Sequence, residues 1–362
     1  MGKIKFCCPN CGRALQNDEV YRGRKVKCRH CKHVLIVPDV SIPRQPQKRR
    51  PAWKKIIPIL LASPILLCLV VVIFAIFPTE LHWPDRRPIG MLFLASNYHS
   101  SGTNPRGWFN DKTLNVTGPA GLNQFRNALF EYTDRSIANL KRLGAQGVIV
   151  WDLEGEQYPH KTSYIGDPQS VEYLAPEMAP VVDDFFKRLR DAGFRVGVTV
   201  RPQELVFDSH NIPHQRFVIN VAANLLKKID YAREHWGATL FYVDSNDGFW
   251  RPDEAWQLHW VAAQRPDILL IPEHHAFFYR AFSAPYVSLY HHSANAQPSL
   301  AAKLFPHSFQ VVDISDAGDE WTHIVAAQAG GDIILCRAWN WNTECQLLED
   351  LVKGKNNSPI AR

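Results

Sequence analysis

Residues 56–77 read IIPILLASPILLCLVVVIFAIF, 22 positions without a charged side chain. A bilayer core of about 30 Å needs roughly 20 apolar residues in a helix. The run's length and unbroken apolarity also argue against a buried core helix of a soluble domain. The run therefore predicts a single transmembrane helix, in which Pro58 and Pro64 are tolerable. A cleavable secretory signal is the rival reading. It fails on position, because the run starts behind 55 other residues, and on length.

The flanks set an orientation. Arg44, Lys48, Arg49, Arg50, Lys54 and Lys55 lie before the run, whereas Arg86 and Arg87 after it sit beside Glu80 and Asp85. Positive charge stays on the cytoplasmic side. The expected topology is single-pass in the inner (cytoplasmic) membrane, with a cytoplasmic N-terminus and a periplasmic or extracellular C-terminal part. Trp53 and Trp83 fall where interfacial belt residues would. The overall charge of +6 hides a split. Residues 1–55 hold 15 Lys and Arg against 3 Asp and Glu, and the remainder is net acidic. The two sides therefore meet different partners.

Five of the eight cysteines lie in the first 31 residues. Cys8/Cys11 and Cys28/Cys31 form two CxxC pairs with 16 residues between them. Two such knuckles can close a tetrahedral four-thiolate site around a structural Zn2+. A head of this size has too little core to fold alone, and metal binding supplies the missing free energy. Two disulfides are the alternative. Cys7 stands as a spare thiol, and His30 and His33 are lesser candidate ligands. Residues 1–38 resemble the short zinc ribbon found at the N-terminus of many bacterial membrane proteins, through CPNCGRAL, GRKVKCRHC and VLIVP. The resemblance implies a hairpin-rich module for contact or regulation. Arg22, Arg24, Lys25, Lys27, Arg29 and Lys32 could meet protein, nucleic acid or anionic lipid. Residues 39–55 are a basic, proline-rich linker, 78–88 a second linker, and 357–362 a tail.

Residues 89–356 alternate in period. Apolar, β-rich runs at 89–96, 147–155, 195–202, 239–246, 267–275, 286–292, 309–316 and 332–339 are separated by helical stretches. The clearest helices are 121–145, 175–194, 215–238 and 252–265, the first three ending in a glycine stop. Near-continuous apolar strands are those of a parallel sheet buried on both faces. Eight strands alternating with helices predict an α/β fold, a (β/α)8 TIM barrel of ordinary size. An open doubly wound sheet is the alternative, but no glycine-rich phosphate loop follows the first strand.

Barrel sites are built at the C-terminal ends of strands. Polar residues recur there: Asp152 and Glu154, then Arg201, then Asp244, Asn246 and Asp247, then Glu273, His274 and His275. His291 and His292, Asp313 and Asp316, and Arg337, Trp339 and Trp341 follow. Paired carboxylates can donate a proton and attack, or activate water, at a glycosidic bond. Trp108, Trp151, Trp250, Trp339 and Trp341 are candidate sugar platforms, with core packing as the alternative. Paired histidines at 274/275 and 291/292 with Asp313 offer metal-assisted hydrolysis as a competing chemistry, but the first strand lacks His-x-His.

With YVDSN, IPEHH and VVDISD following the fourth, fifth and seventh strands, this layout resembles glycoside-hydrolase barrels of the α-amylase and α-galactosidase kind. The resemblance implies Asp244 as nucleophile or base, Glu273 as proton donor and Asp313, or else Asp316, as a third catalytic acid. Asp152, Glu154, Arg201, Asn246, His274, His291, Trp339 and Trp341 would bind substrate. The chain departs from the family at Tyr242, where an Arg is expected, and no His-Asp pair follows the seventh strand. The expectation is a membrane-anchored hydrolase of an extracytoplasmic glycan. The alternative is a non-catalytic glycan-binding or envelope-scaffold barrel.

Overall fold

The computed structural model describes residues 2–8, 10–11, 13–37, 81–156, 166–246, 252–274, 277–288, 305–314 and 327–336. The chain divides into two units, Met1–Ile76 and Phe77–Arg362. The uncharged run at 56–77 lies outside the described residues. No helix among the described residues is long and apolar enough to cross a membrane.

In the first unit, β1 (Lys3–Cys7) pairs antiparallel with β2 (Ala14–Asp18), and β3 (Lys25–Lys27) with β4 (Val34–Ile36). Each hairpin carries one CxxC pair at its turn. The turns are closed by the N–H of Cys8 donating to Arg13 O at 2.9 Å and that of Cys28 to His33 O at 2.8 Å. The core is Ile4, Phe6, Leu15, Leu35 and Val37 with Cys8 and Cys28. That is too few apolar groups, at about 1.5–3 kcal/mol each, to offset chain entropy.

The second unit has eight parallel strands: β5 (Ile89–Leu92), β6 (Gly147–Val150), β7 (Arg195–Val200), β10 (Leu240–Val243), β11 (Leu269–Pro272), β12 (Tyr286–Ser288), β13 (Val311–Ile314) and β14 (Ile333–Cys336). They hydrogen-bond in the order β11-β10-β7-β6-β5-β14-β13-β12. The two end strands are consecutive in the chain, and the N–H of Ala284 bridges them by donating to Leu270 O at 3.0 Å. The result is the nearly closed barrel of a TIM fold.

Alternate residues face opposite ways. Ile89, Met91, Ile149, Leu240, Tyr242, Leu269, Ile271, Val311, Ile333 and Leu335 fill the interior. Val148, Val150, Val196, Val198, Phe241, Val243, Val312 and Ile334 pack in the outer core with the helices. Burial on both faces explains why no polar alternation marks these strands. Helix α1 (Gly118–Leu143) presents Phe125, Leu129, Tyr132, Ser136, Leu140 and Leu143 at helical spacing, and left-handed Gly144 ends it. The other α-helices of four or more residues among the described residues are α2 (Val171–Leu174), α3 (Val182–Asp191), α4 (Val221–Trp236) and α5 (Pro252–Gln264).

Three expectations change. Residues 215–216, expected to open a helix, instead end β9 (Pro213–Arg216), antiparallel to β8 (Glu204–Phe207). This hairpin is largely exposed and shows no apolar alternation. Residues 81–88 are not a free linker. Trp83 is buried with the barrel interior, and its indole N–H donates to Gln146 Oε1 at 3.0 Å. It closes the N-terminal end of the barrel and is no interfacial belt residue. The helix expected at 175–194 is α3, which begins at Val182 rather than 175, because turns occupy the intervening residues.

Candidate functional site

The interior parity of β7, β10 and β11 continues past their ends to Arg201, Asp244 and Glu273. The Arg201 Nε donates to Asp244 Oδ2 at 2.5 Å. Asp244 and Glu273 share a side-chain hydrogen bond, and burial followed by this contact pushes Glu273 up to about 7. The Ser245 N–H also donates to Glu273 Oε2, at 2.8 Å. The exposed His274 lies with Nε2 3.7 Å from the same oxygen.

Beneath these groups lies an aromatic floor. Phe93 stacks on Trp151 at 5.4 Å, Trp151 meets Tyr242 at 4.7 Å, and Tyr242 meets Tyr286 edge-on at 5.3 Å. The Tyr286 hydroxyl donates to Asp313 Oδ2 at 2.8 Å. An acid pair above aromatic rings suits a ligand with both hydroxyls and an apolar face. Tyr242, which stands where the resembled family has an Arg, is part of this floor.

The structure thus brings Arg201, Asp244, Glu273 and His274 together and ties Asp313 to the floor. It assigns three other expected ligand-orienting residues to the scaffold. Both oxygens of buried Asp152 accept backbone N–H groups, from Leu94 at 2.6 Å and Ala95 at 2.8 Å. Buried Glu154 accepts the N–H of Asp167 at 2.7 Å. Buried Asn246 staples the ends of β10 and β11, donating to His274 O and the Tyr279 hydroxyl and accepting from the His274 N–H. Burial raises Asp152 and Glu154 to about 7. His291, Trp339 and Trp341, with Asp247, His275, His292, Asp316, Arg337 and Trp250, lie outside the described residues. Trp108 is no platform: it is fully buried against Phe125, with its indole N–H donating to Glu177 at 2.6 Å.

Several residues at the mouth are ones that strand-end inspection misses. Phe93, Tyr242 and Tyr286 lie within apolar runs, and only interior parity singles them out. Glu156, pushed up to about 7 by burial, lies within the electrostatic reach of Arg201. Gln203 and Lys228 sit behind the rim. Lys228 is buried in α4, which lowers it to about 8, and donates to Arg201 O at 2.8 Å and Gln203 O at 2.7 Å.

In the first unit, the sulfur atoms of Cys8, Cys11, Cys28 and Cys31 all lie within 4.8 Å of one another. Cys8 and Cys31 are 3.6 Å apart and Cys11 and Cys28 3.8 Å. A tetrahedron of thiolates with metal bonds of about 2.3 Å has sulfurs about 3.8 Å apart, so the four fit such an ion. All four are free thiols. The backbone N–H of His33 helps lower Cys31 to about 6, and that of Cys31 lowers Cys28.

No protein-family model matches the chain. No curated protein sequence matches it. Among solved structures, an alpha-L-fucosidase is 13% identical over 78% of this chain and 76% of its own, with a TM-score of 0.45. The Thermotoga maritima alpha-fucosidase bound to fucose is 13% identical over 76% and 73%, with a TM-score of 0.41. The maltogenic alpha-amylase AmyB of Thermotoga neapolitana is 13% identical over 56% of this chain and 49% of its own, with a TM-score of 0.34. The barrel stands on its own strand order, and likenesses this distant carry no activity across.

Proposed function

We propose that the barrel is a glycoside hydrolase in which Glu273 donates the proton and Asp244 acts as nucleophile or base. The carrying observation is the hydrogen-bonded Asp244–Glu273 pair at the barrel mouth, with Arg201 on Asp244. Glu273, raised to about 7, is a carboxylic acid that keeps its proton into the neutral range. Arg201 sets its positive charge beside Asp244, which suits an attacking or base carboxylate next to a protonated partner. The aromatic floor supplies stacking for a sugar ring. Asp313 and its hydroxyl partner Tyr286 line the same interior and would contact the ring from the opposite wall.

A second reading is favoured by one feature of the same pair. Retaining glycosidases hold their carboxyl groups about 5–5.5 Å apart and inverting ones about 6.5–9.5 Å. Here the two groups hydrogen-bond to each other, so a glycosidic bond between them displaces that contact and parts them. A non-catalytic glycan-binding barrel needs no such parting. A panel of activated glycosides, an α-L-fucoside included, separates the two. Hydrolysis that Asp244→Asn and Glu273→Gln each lower by at least about a hundredfold supports the enzyme. Glycan binding untouched by both changes, with no turnover, supports the binder.

For the remainder of the chain, we propose a single-pass anchor at 56–77 with the barrel outside the cytoplasm and the head inside, and a structural Zn2+ on Cys8, Cys11, Cys28 and Cys31. The run's length and lack of charge, the basic residues before it, and the sulfur spacing support this. Alkaline extraction of membranes tests the anchor: the full chain stays in the membrane pellet, and a chain lacking 56–77 does not.

A further inference from the structure

The strained residue at the mouth is Ser245. It is one of five non-glycine residues at positive φ among the described residues, at 56°, in the left-handed region that favours glycine. That conformation turns its N–H onto Glu273 Oε2 at 2.8 Å. Its carbonyl, on the other side of the same residue, accepts the side-chain N–H of Gln203 at 2.9 Å. Gln203 is buried and sits two residues beyond Arg201 on the exit of β7. That exit is itself fixed by α4. Asn224 donates to Pro202 O at 2.8 Å, and Lys228 to Arg201 O and Gln203 O. One turn, 201–203, therefore reaches both acids of the pair: Arg201 directly onto Asp244, and Gln203 through Ser245 onto Glu273.

We propose that Gln203 is a positioning residue: by holding the Ser245 carbonyl, it keeps Ser245 left-handed and its N–H on the Glu273 carboxyl. An N–H donor favours the ionised carboxylate. Burial and Asp244 oppose it, Arg201 acts with it, and His274 lies 3.7 Å away on the same element as Glu273. These are the charged and titratable groups about Glu273 among the described residues. The arrangement sets how readily Glu273 gives up its proton while leaving the proton donor in place. The inference takes its purpose from the glycosidase reading, but its test reads titration rather than turnover, so either can fail alone.

The test compares the full chain in detergent micelles with its Glu273→Gln variant over roughly pH 5 to 9, following the unfolding midpoint, because the difference between them isolates the Glu273 titration. In the Gln203→Met background, which keeps side-chain length but removes the donor, the half-point of that difference moves up by about one pH unit, a tenfold change in proton affinity. Adding Ser245→Gly, which adopts positive φ at no steric cost and so needs no Gln203 to keep it there, brings it back. Amide exchange at residue 245 speeds up in Gln203→Met and slows again in the double variant. Gln203→Asn, too short to reach the Ser245 carbonyl, reproduces the upward shift should Gln203→Met not fold. An unmoved half-point in either Gln203 variant, or no recovery with Ser245→Gly, overturns the proposal.

Discussion

Glu273 shows what burial does to one side chain. Its raised proton affinity means the folded chain binds more protons than the unfolded one between about pH 4.5 and pH 7. Stability contributed by the protonated form is complete below that window and lost as pH rises through it. Asp152, Glu154 and Glu156 act in the same direction, each pushed up to about 7 by burial. Glu154→Gln, which cannot ionise, should therefore gain stability relative to the natural chain as pH rises from about 4.5 to 7, then level off. Denaturant unfolding at a series of pH values measures this, and a flat difference would contradict it. If Glu273 is the proton donor, kcat/KM should fall about tenfold per pH unit above pH 7. Trp108 makes a different kind of statement. Its indole N–H and Arg106 meet the same buried Glu177 oxygen, at 2.6 and 2.5 Å. Trp108→Phe should cost about 1–3 kcal/mol by leaving that carboxylate short of a donor, while leaving glycoside turnover nearly unchanged.

Among the strands, β7 matters most for the site, because it delivers Arg201 and Gln203. Its interior position 197 is glycine for a packing reason. A Cβ there would lie 2.0 Å from the Leu240 carbonyl oxygen and 2.5 Å from the Leu240 Cβ on the neighbouring β10. Gly197→Ala must push apart the two strands that carry Arg201 and Asp244. It should destabilise the barrel by at least about 2 kcal/mol, measurable as a lowered denaturant midpoint. Helix α4 has a related role from outside, since its Asn224 and Lys228 hold the carbonyls of the β7 exit. A buried lysine in a barrel helix is thus a fastening for the rim, not an exposed charge turned inward.

Across the whole molecule, the two units use different means of stabilisation. The barrel has a double core, with one cluster inside the strands and one between strands and helices. The head has seven buried residues in its cluster, two of them cysteines. Metal binding should therefore be folding energy for the head and irrelevant to the barrel. Chelation, or Cys28→Ser, should melt the head's hairpins and release bound zinc, about one ion per chain by elemental analysis. The barrel's own transition should stay in place.

The sequence by itself determined the order of the barrel strands, because apolar period and glycine stops are local signals. All eight strands lie where the runs at 89–96 through 332–339 put them, although shorter. It also singled out the cysteine quartet, since CxxC spacing dictates which sulfurs can converge. Asp244 and Glu273 were legible as strand ends. What they do depended on the third dimension. Strands buried on both faces show no alternation, so the chain does not reveal that Phe93, Trp151, Tyr242 and Tyr286 form one floor. Nor does it reveal that Trp83 closes the barrel's far end. Asp152, Glu154 and Asn246 look like rim ligands until their oxygens and nitrogens are traced to backbone groups. Tertiary structure alone decided which acids meet at the mouth and which cap the scaffold, because both depend on contacts between separate segments of the chain.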